Sequence, residues 1–231
     1  MDLKRFFTDN PIDEYAYLYG REFTHAVKVV RLKTGYKLIV CNGDDKDYYC
    51  TVEEITKEYL KAKVDEIKPN DAEMGRNVTL YIGLNKDIDT VVQKAVELGV
   101  SRIVPFTSQH SNVEKINRQR LETIIAESSK QCGRSRIAEI SDPICFSEIG
   151  KDGETIYAFY EFERNNKVSE TPIPKGDVGV LIGPEGGFSV REYQTMLEKK
   201  FFVLTLGKRI LRVSTAVVSA LTLVGERIGE L

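Results

Sequence analysis

The stretch Leu181-Ile182-Gly183-Pro184-Glu185-Gly186-Gly187-Phe188-Ser189 decides how the chain is read. An apolar strand, Val178–Ile182, runs straight into three glycines and a proline. Ser189, with Glu192 three residues on, then opens a helix in the capping-box pattern, where each side chain satisfies the other's backbone N–H. Strand, turn and helix in that order belong to a parallel α/β sheet. Glycines at the carboxyl end of a parallel strand let main-chain amides and carbonyls approach a ligand closely. A tight turn with no ligand is the alternative for this segment alone. The spacing matches neither a Walker loop, which ends in GK[ST], nor GxGxxG.

A second passage repeats the logic in Leu206-Gly207-Lys208-Arg209-Ile210-Leu211-Arg212-Val213-Ser214-Thr215-Ala216. A strand, Phe202–Leu206, stops at a glycine, and a basic loop leads to a helix expected to begin near Ser214-Thr215. A helix start offers free amides and partial positive charge to an anion. Arg212 lies just before it, so the pair could hold a phosphate or stabilise developing negative charge. Ser214 is expected to be the N-cap of this helix. A surface arginine beside an ordinary cap is the other reading of either segment alone, and finding both after sheet strands weakens it.

Outward from these loops the α/β rhythm extends back to Asn77. Val78–Leu84 reads as a buried strand, and Ile88, Val91, Val92, Ala95 and Val96 recur at helical spacing up to Gly99. Arg102–Phe106 is a strand; Leu121, Ile124, Ile125, Ser128 and Cys132 mark a helix that stops at Gly133; Thr155–Tyr160 is a strand. The last helix carries Val217, Val218, Leu221, Val224 and Ile228 as a broad apolar surface, expected near a subunit interface. Before residue 70 the pattern is different. Tyr36–Cys41, Asp47–Val52 and Tyr59–Ile67 are rich in β-branched and aromatic residues, and Asn42-Gly43 is a hairpin signal because both residues tolerate positive φ. A small antiparallel β-barrel over residues 1–70 follows, with Lys68-Pro69-Asn70-Asp71 as linker to a second domain over 71–231.

Composition is that of a globular protein, with 42% hydrophobic and 29% charged residues. No apolar run is long enough to cross a bilayer, and Met1–Phe7 lacks a signal-peptide core, so a cytoplasmic protein with no membrane partner is expected. Cys41, Cys50, Cys132 and Cys145 have no CxxC spacing and are read as buried reduced thiols; with two histidines, His25 and His110, no metal site is expected. A net charge of −2 argues against gripping nucleic acid through the overall field, but leaves room for a local basic face. Lys4, Arg5, Lys28, Arg31, Arg134 and Arg136 are the candidates for RNA contact.

At the two glycine-bearing loops the chain resembles a known family. Gly183-Pro184-Glu185-Gly186-Gly187-Phe188 and Leu206-Gly207-x-Arg209-Ile210-Leu211-Arg212-x-x-Thr215-Ala216 are similar to the two C-terminal motifs of RsmE-type RNA methyltransferases, a branch of the SPOUT class. The likeness continues in Gln93-Lys94-Ala95-x-Glu97-Leu98-Gly99-Val100, in Ile125-Ala126-Glu127 to Gln131-Cys132-Gly133-Arg134, and in His25-x-x-x-Val29-Val30-Arg31-Leu32 before Gly35. It therefore covers nearly the whole chain in the family's order. The resemblance implies a PUA-like β-barrel followed by a parallel-sheet SPOUT domain whose C-terminal segment threads a trefoil knot, an arrangement no periodicity argument could supply. It also implies a homodimer, bound S-adenosylmethionine, and methylation of ring nitrogen 3 of a uridine in 16S ribosomal RNA within the small subunit. By position, Leu181, Gly183, Glu185, Gly186, Leu206, Gly207, Ile210 and Leu211 would hold the cofactor, and Arg212 would face the uracil as the catalytic residue.

Two departures stand out: Ser214 replaces the family's usual Glu, and Gln109-His110-Ser111 replaces a segment that usually carries Arg-Ser. The implied chemistry suits the parts. A uracil imide nitrogen is a poor nucleophile until deprotonated, and a sulfonium methyl donor needs no metal, so the enzyme must align two groups and favour the uracil anion. Arginine suits that task because it stays protonated and presents several donors. Glu185, His110 and solvent all remain open as proton acceptor. The competing readings are a SPOUT enzyme acting on a ribose hydroxyl or a guanine, a non-catalytic RNA-binding module, and a nucleotide-dependent oxidoreductase, which lacks its dinucleotide fingerprint here.

Overall fold

The structure, a computed structural model, describes residues 3–111 and 115–231. The chain folds into two compact units, Met1–Glu73 with Ser129–Ile137, and Met74–Ser128 with Ala138–Leu231.

The described strands of the first unit are β1 (Arg5–Phe7), β2 (Tyr15–Tyr19), β3 (Lys37–Cys41), β4 (Lys46–Ile55) and β5 (Tyr59–Pro69), in the sheet order β1-β3-β4-β5-β2. The β3–β4 hairpin turns where Asn42-Gly43 predicts it, with Gly43 at φ 86° and Asp45 at φ 62°. Register shifts between Tyr49/Cys50 and Val52/Glu54 bulge the β4–β5 pair, which bends the strands around a core of Phe6, Leu18, Leu38, Val40, Tyr48 and Leu60. Strand alternation puts every second residue into that core. Between β2 and β3 stand a short helix α1 (Gly20–Thr24) and a π-helical turn, His25–Val29, neither of which periodicity marks.

Two of the arginines expected to meet RNA are instead internal braces. Arg5 donates to both oxygens of Asp47 at 2.5 and 2.7 Å, and both side chains are about nine-tenths buried. Burial raises and the Arg5 hydrogen bond lowers the Asp47 pKa, and the net shift is downward. Arg134 is 2% exposed, and its guanidinium reaches Glu73 at 2.8 Å. The same carboxylate accepts the backbone N–H groups of Ser135 and Arg136, each at 2.9 Å. Asn70 adds a bond to the Gly133 carbonyl at 2.9 Å, and Lys130 reaches Glu22 at 2.6 Å. These anchors explain why residues 129–137 belong with the N-terminal unit, although they are distant in sequence. Arg136 pairs with Asp45, whereas Lys4, Lys28 and Arg31 are exposed.

The described strands of the second unit are β6 (Val78–Gly83), β7 (Arg102–Thr107), β8 (Glu139–Ile140), β9 (Ile144–Cys145), β10 (Thr155–Phe159), β11 (Val178–Ile182) and β12 (Phe202–Leu204), all parallel, in the order β12-β10-β11-β6-β7-β8 with β9 also on β7. β6 and β11 are buried along their whole length, which is why each reads as a mostly apolar run, broken in β6 by the buried Thr79. Helices α2 (Ile88–Glu97), α3 (Arg118–Cys132, whose residues from Ser129 belong to the first unit), α4 (Val190–Glu198) and α5 (Val213–Ile228) connect the strands, and α5 packs on α2 and β11. The chain builds outward from β6 through β7 to β8 and β9, then crosses to the other side for β10 and returns to lay β11 against β6. Ligands of open α/β sheets bind at the carboxyl ends of strands beside such a reversal.

Two expectations change here. The apolar stripe of α5 is largely consumed inside the chain, since Val217, Leu221, Val224 and Ile228 are buried; Val218 stays 37% exposed and Leu223 41%. The cysteines are not uniformly buried either: Cys41 and Cys50 are, with thiols pushed up to about 12 by burial, but Cys145 is exposed and Cys132 half-buried.

Candidate active site

The carboxyl ends of β10, β11 and β12 open into one cavity of about 210 Å³. Its walls are the turns leaving those strands, residues 159–162, 182–188, 206–207 and 209–211, with Val213 and Ala216 of α5. The β11 turn closes with a bond from the Gly187 N–H to the Pro184 carbonyl at 2.9 Å, and Gly187 sits at φ 67°, where a side chain is strained. At the β12 turn, Thr205 Oγ1 accepts the Gly207 N–H at 3.0 Å. Phe162 and Ile210 line the cavity while 64% and 80% exposed, so two apolar groups stand uncovered at its edge.

The capping box at the start of α4 is present and does more than cap. Ser189 Oγ accepts the Glu192 N–H at 3.2 Å, and Glu192 Oε2 accepts the Ser189 N–H at 2.8 Å. The other oxygen of this buried carboxylate takes the Gln109 N–H at 3.1 Å, which ties the loop after β7 to the glycine turn. His110 completes the tie through Nδ1, 3.1 Å from the Gly186 carbonyl. A carbonyl only accepts, so that bond requires the proton on Nδ1. Glu185 spends one oxygen on the Lys86 N–H at 2.8 Å.

Of the residues expected to hold the cofactor, Gly183, Glu185, Gly186, Leu206, Gly207, Ile210 and Leu211 line this cavity. Leu181 does not. It is fully buried among Tyr81, Ala158 and Phe188, and its neighbour Ile182 lines the cavity, because successive strand residues point to opposite faces. Arg209 lines the cavity, whereas Arg212 is exposed beside it at the N-cap of α5. The helix therefore begins two residues earlier than an N-cap at Ser214 would have it: Arg212 is the cap, no side chain caps the helix, and Ser214 lies inside the first turn. Sequence reading overlooked Tyr160, Glu161 and Phe162. The available signal was positional: they follow a strand of the same parallel sheet, where ligand-binding turns occur.

Comparison with known proteins fits this geometry. The family described as RNA methyltransferase domain matches residues 72–225, and RNA methyltransferase PUA domain matches residues 18–65. A ribosomal RNA small subunit methyltransferase E from Aquifex aeolicus is 32% identical over 189 residues, covering 78% of this chain and 81% of that one. This chain belongs to the ribosomal RNA small subunit methyltransferase E family. A second member, from Buchnera aphidicola, is 29% identical and covers 92% of this chain and 91% of its own. The Neisseria gonorrhoeae methyltransferase E, solved bound to S-adenosyl methionine, superposes with a TM-score of 0.89 at 25% identity, covering 97% of this chain and 98% of that one. A Legionella pneumophila methyltransferase with bound cofactor SAM gives 0.88 at 25% identity, covering 98% of each chain. The units of this family member are thus a PUA-like sheet domain and a SPOUT-class methyltransferase domain. Among the described residues no helix is long and apolar enough to cross a membrane, and no cluster of three metal-capable side chains forms.

Proposed function

We propose that this methyltransferase E family member methylates ring nitrogen 3 of a specific uridine in 16S ribosomal RNA of the small ribosomal subunit, with S-adenosylmethionine as donor. It works as a cytoplasmic homodimer, residues 1–70 grip RNA, and the 71–231 domain threads its C-terminal segment through a trefoil knot. The cavity built by both motif loops carries this reading. The uncovered apolar edge of Phe162 and Ile210 suits an adenine, and the glycine turns bring backbone polar groups within reach of the rest of the cofactor. When bound, S-adenosylmethionine supplies an electrophilic methyl on a sulfonium sulfur. The chain's own residues do the rest. Apolar side chains keep water from the cavity, and Arg212, which no described residue engages through its side chain, favours the uracil anion. His110 Nε2, the free Glu185 oxygen and solvent can each take the N3 proton. Exposed Val218 and Leu223 of α5 are the apolar positions left for a dimer contact.

Small subunits lacking the modification, incubated with the protein and S-adenosylmethionine, should yield 3-methyluridine on nucleoside analysis. A 2′-O-methylated nucleoside or a methylguanosine would overturn the reading.

The close fit of the loop after β7 on the glycine turn gives a first prediction. A Cβ at Gly186 would stand 2.8 Å from His110 Cβ and 2.9 Å from its carbonyl oxygen, so Gly186→Val must push that loop away. Overpacking of this kind costs about 1–3 kcal/mol, so calorimetry should show S-adenosylmethionine binding weakened by on the order of tenfold. Unchanged affinity would take this turn out of the binding site.

RNA binding should also depend on salt despite the acidic net charge. Lys28 and Arg31 are exposed, whereas Arg5 and Arg134 are internal. Removing both exposed charges should flatten the slope of log affinity against log salt by about 1.4–1.8 if each meets a phosphate. A slope equal to that of the unaltered protein makes them ordinary surface charges.

A further inference from the structure

The turn after β10 holds a carboxylate, Glu161, that neither motif loop includes. Glu161 lines the cavity, and no described residue gives its side chain a hydrogen bond or an ion pair. Its position is fixed by its neighbours. The Glu163 carboxylate gathers the N–H groups of Arg164, Asn165 and Asn166 at 2.9, 2.8 and 3.2 Å, which folds the turn tightly. The nearest arginine in sequence, Arg164, spends its guanidinium on the carbonyls of Glu161 and Glu163 and not on a carboxylate. On the opposite wall a Cβ at Gly187 would run into the Glu161 carboxylate, so the glycine turn is shaped around that acid. The other acid of the cavity, Glu185, is tied to the Lys86 N–H.

Arg209 also lines the cavity but makes no described bond to Glu161, and a half-buried carboxylate left without a described partner favours the arrival of a cation. We infer that Glu161 is the counter-charge for the sulfonium of the methyl donor, and so a specificity residue that separates donor from spent product. This rests on the cofactor reading above. Methyl transfer moves the methyl from sulfur to the uracil nitrogen, with the C–S bond pair returning to sulfur. The cation becomes a neutral thioether, and the attraction to Glu161 vanishes at that moment. The amino-acid tail of donor and product is identical, so only the sulfur differs in charge, and a carboxylate facing the sulfur binds the donor more tightly than the product.

Calorimetry of the full chain with S-adenosylmethionine and with S-adenosylhomocysteine tests this without any turnover. Glu161→Gln should weaken donor binding tenfold or more, equivalent to about 1.4 kcal/mol, and change product binding less than threefold. Glu161→Asp, which keeps the charge, should retain more of the donor preference than Glu161→Gln. Equal losses for both ligands would assign the carboxylate to the common ammonium and overturn the inference, as would no loss for either. Failure of the unaltered protein to bind S-adenosylmethionine would instead sink the cofactor reading itself. Melting curves of the variants show that the fold is intact.

Discussion

Arg212→Ala should leave S-adenosylmethionine affinity nearly unchanged and cut single-turnover methylation by on the order of a hundredfold or more, the scale of losing one oxyanion-type donor. The structure gives this variant a clean background. Arg212 is the N-cap of α5, but its side chain makes no capping bond; the first intrahelical bond uses its backbone carbonyl, which accepts the Ala216 N–H at 2.8 Å and survives the substitution. Its side chain is exposed next to cavity-lining Leu211 and Val213, so truncation opens no void in the core. If the guanidinium stabilises a uracil anion, its interaction strengthens toward the transition state, and turnover suffers more than binding. Arg212→Lys should recover only part of the rate, because an ammonium keeps the charge without the planar fork. Full rescue of Arg212→Ala by excess RNA would make the residue a phosphate contact.

The second large effect lies in the N-terminal unit. Glu73→Ala should destabilise it by about 3–5 kcal/mol, the cost of breaking a buried ion pair from one side. The Glu73 and Arg134 side chains are 6% and 3% exposed, so water is poorly placed to take over. The substitution also takes the acceptor from the Ser135 and Arg136 N–H groups, which releases the 129–137 segment from the sheet unit. Native-state hydrogen exchange at the amides of β4 and β5 reports the stability of this unit by itself. A loss under about 1 kcal/mol, the scale of an exposed pair, would show that the carboxylate is not the clasp the geometry indicates.

The two glycine-bearing loops that line the cavity were legible because they are local. A strand that ends in Gly183-Pro184-Glu185-Gly186-Gly187 or in Gly207 announces its turn within a few residues, and Ser189 with Glu192 announces the helix beyond it. From Val78 onward the strands and helices that periodicity marks lie within a few residues of their expected ends, but the two-residue strands β8 and β9 are too short to carry a period and were not expected. What escaped depends on partners far away in the chain. β1 is three residues long, and its pairing with β3 rests on residues 34 positions away, which no window of periodicity contains. Arg5 and Arg134 look like surface cations in a sequence and become braces only when Asp47 and Glu73 meet them. Leu181 and Ile182 are equally apolar, and only the strand register decides which one reaches the cavity. Glu161 belongs to no motif; its place follows from β10 lying between β11 and β12.

Methylation at N3 of one uridine in 16S ribosomal RNA can be read by mass spectrometry of nuclease-digested 16S ribosomal RNA from cells with and without the protein. One fragment should carry 3-methyluridine in the first sample and be unmethylated in the second. An identical 3-methyluridine content in both samples, or the loss of a different methylated nucleoside, would contradict methylation at N3 by this protein.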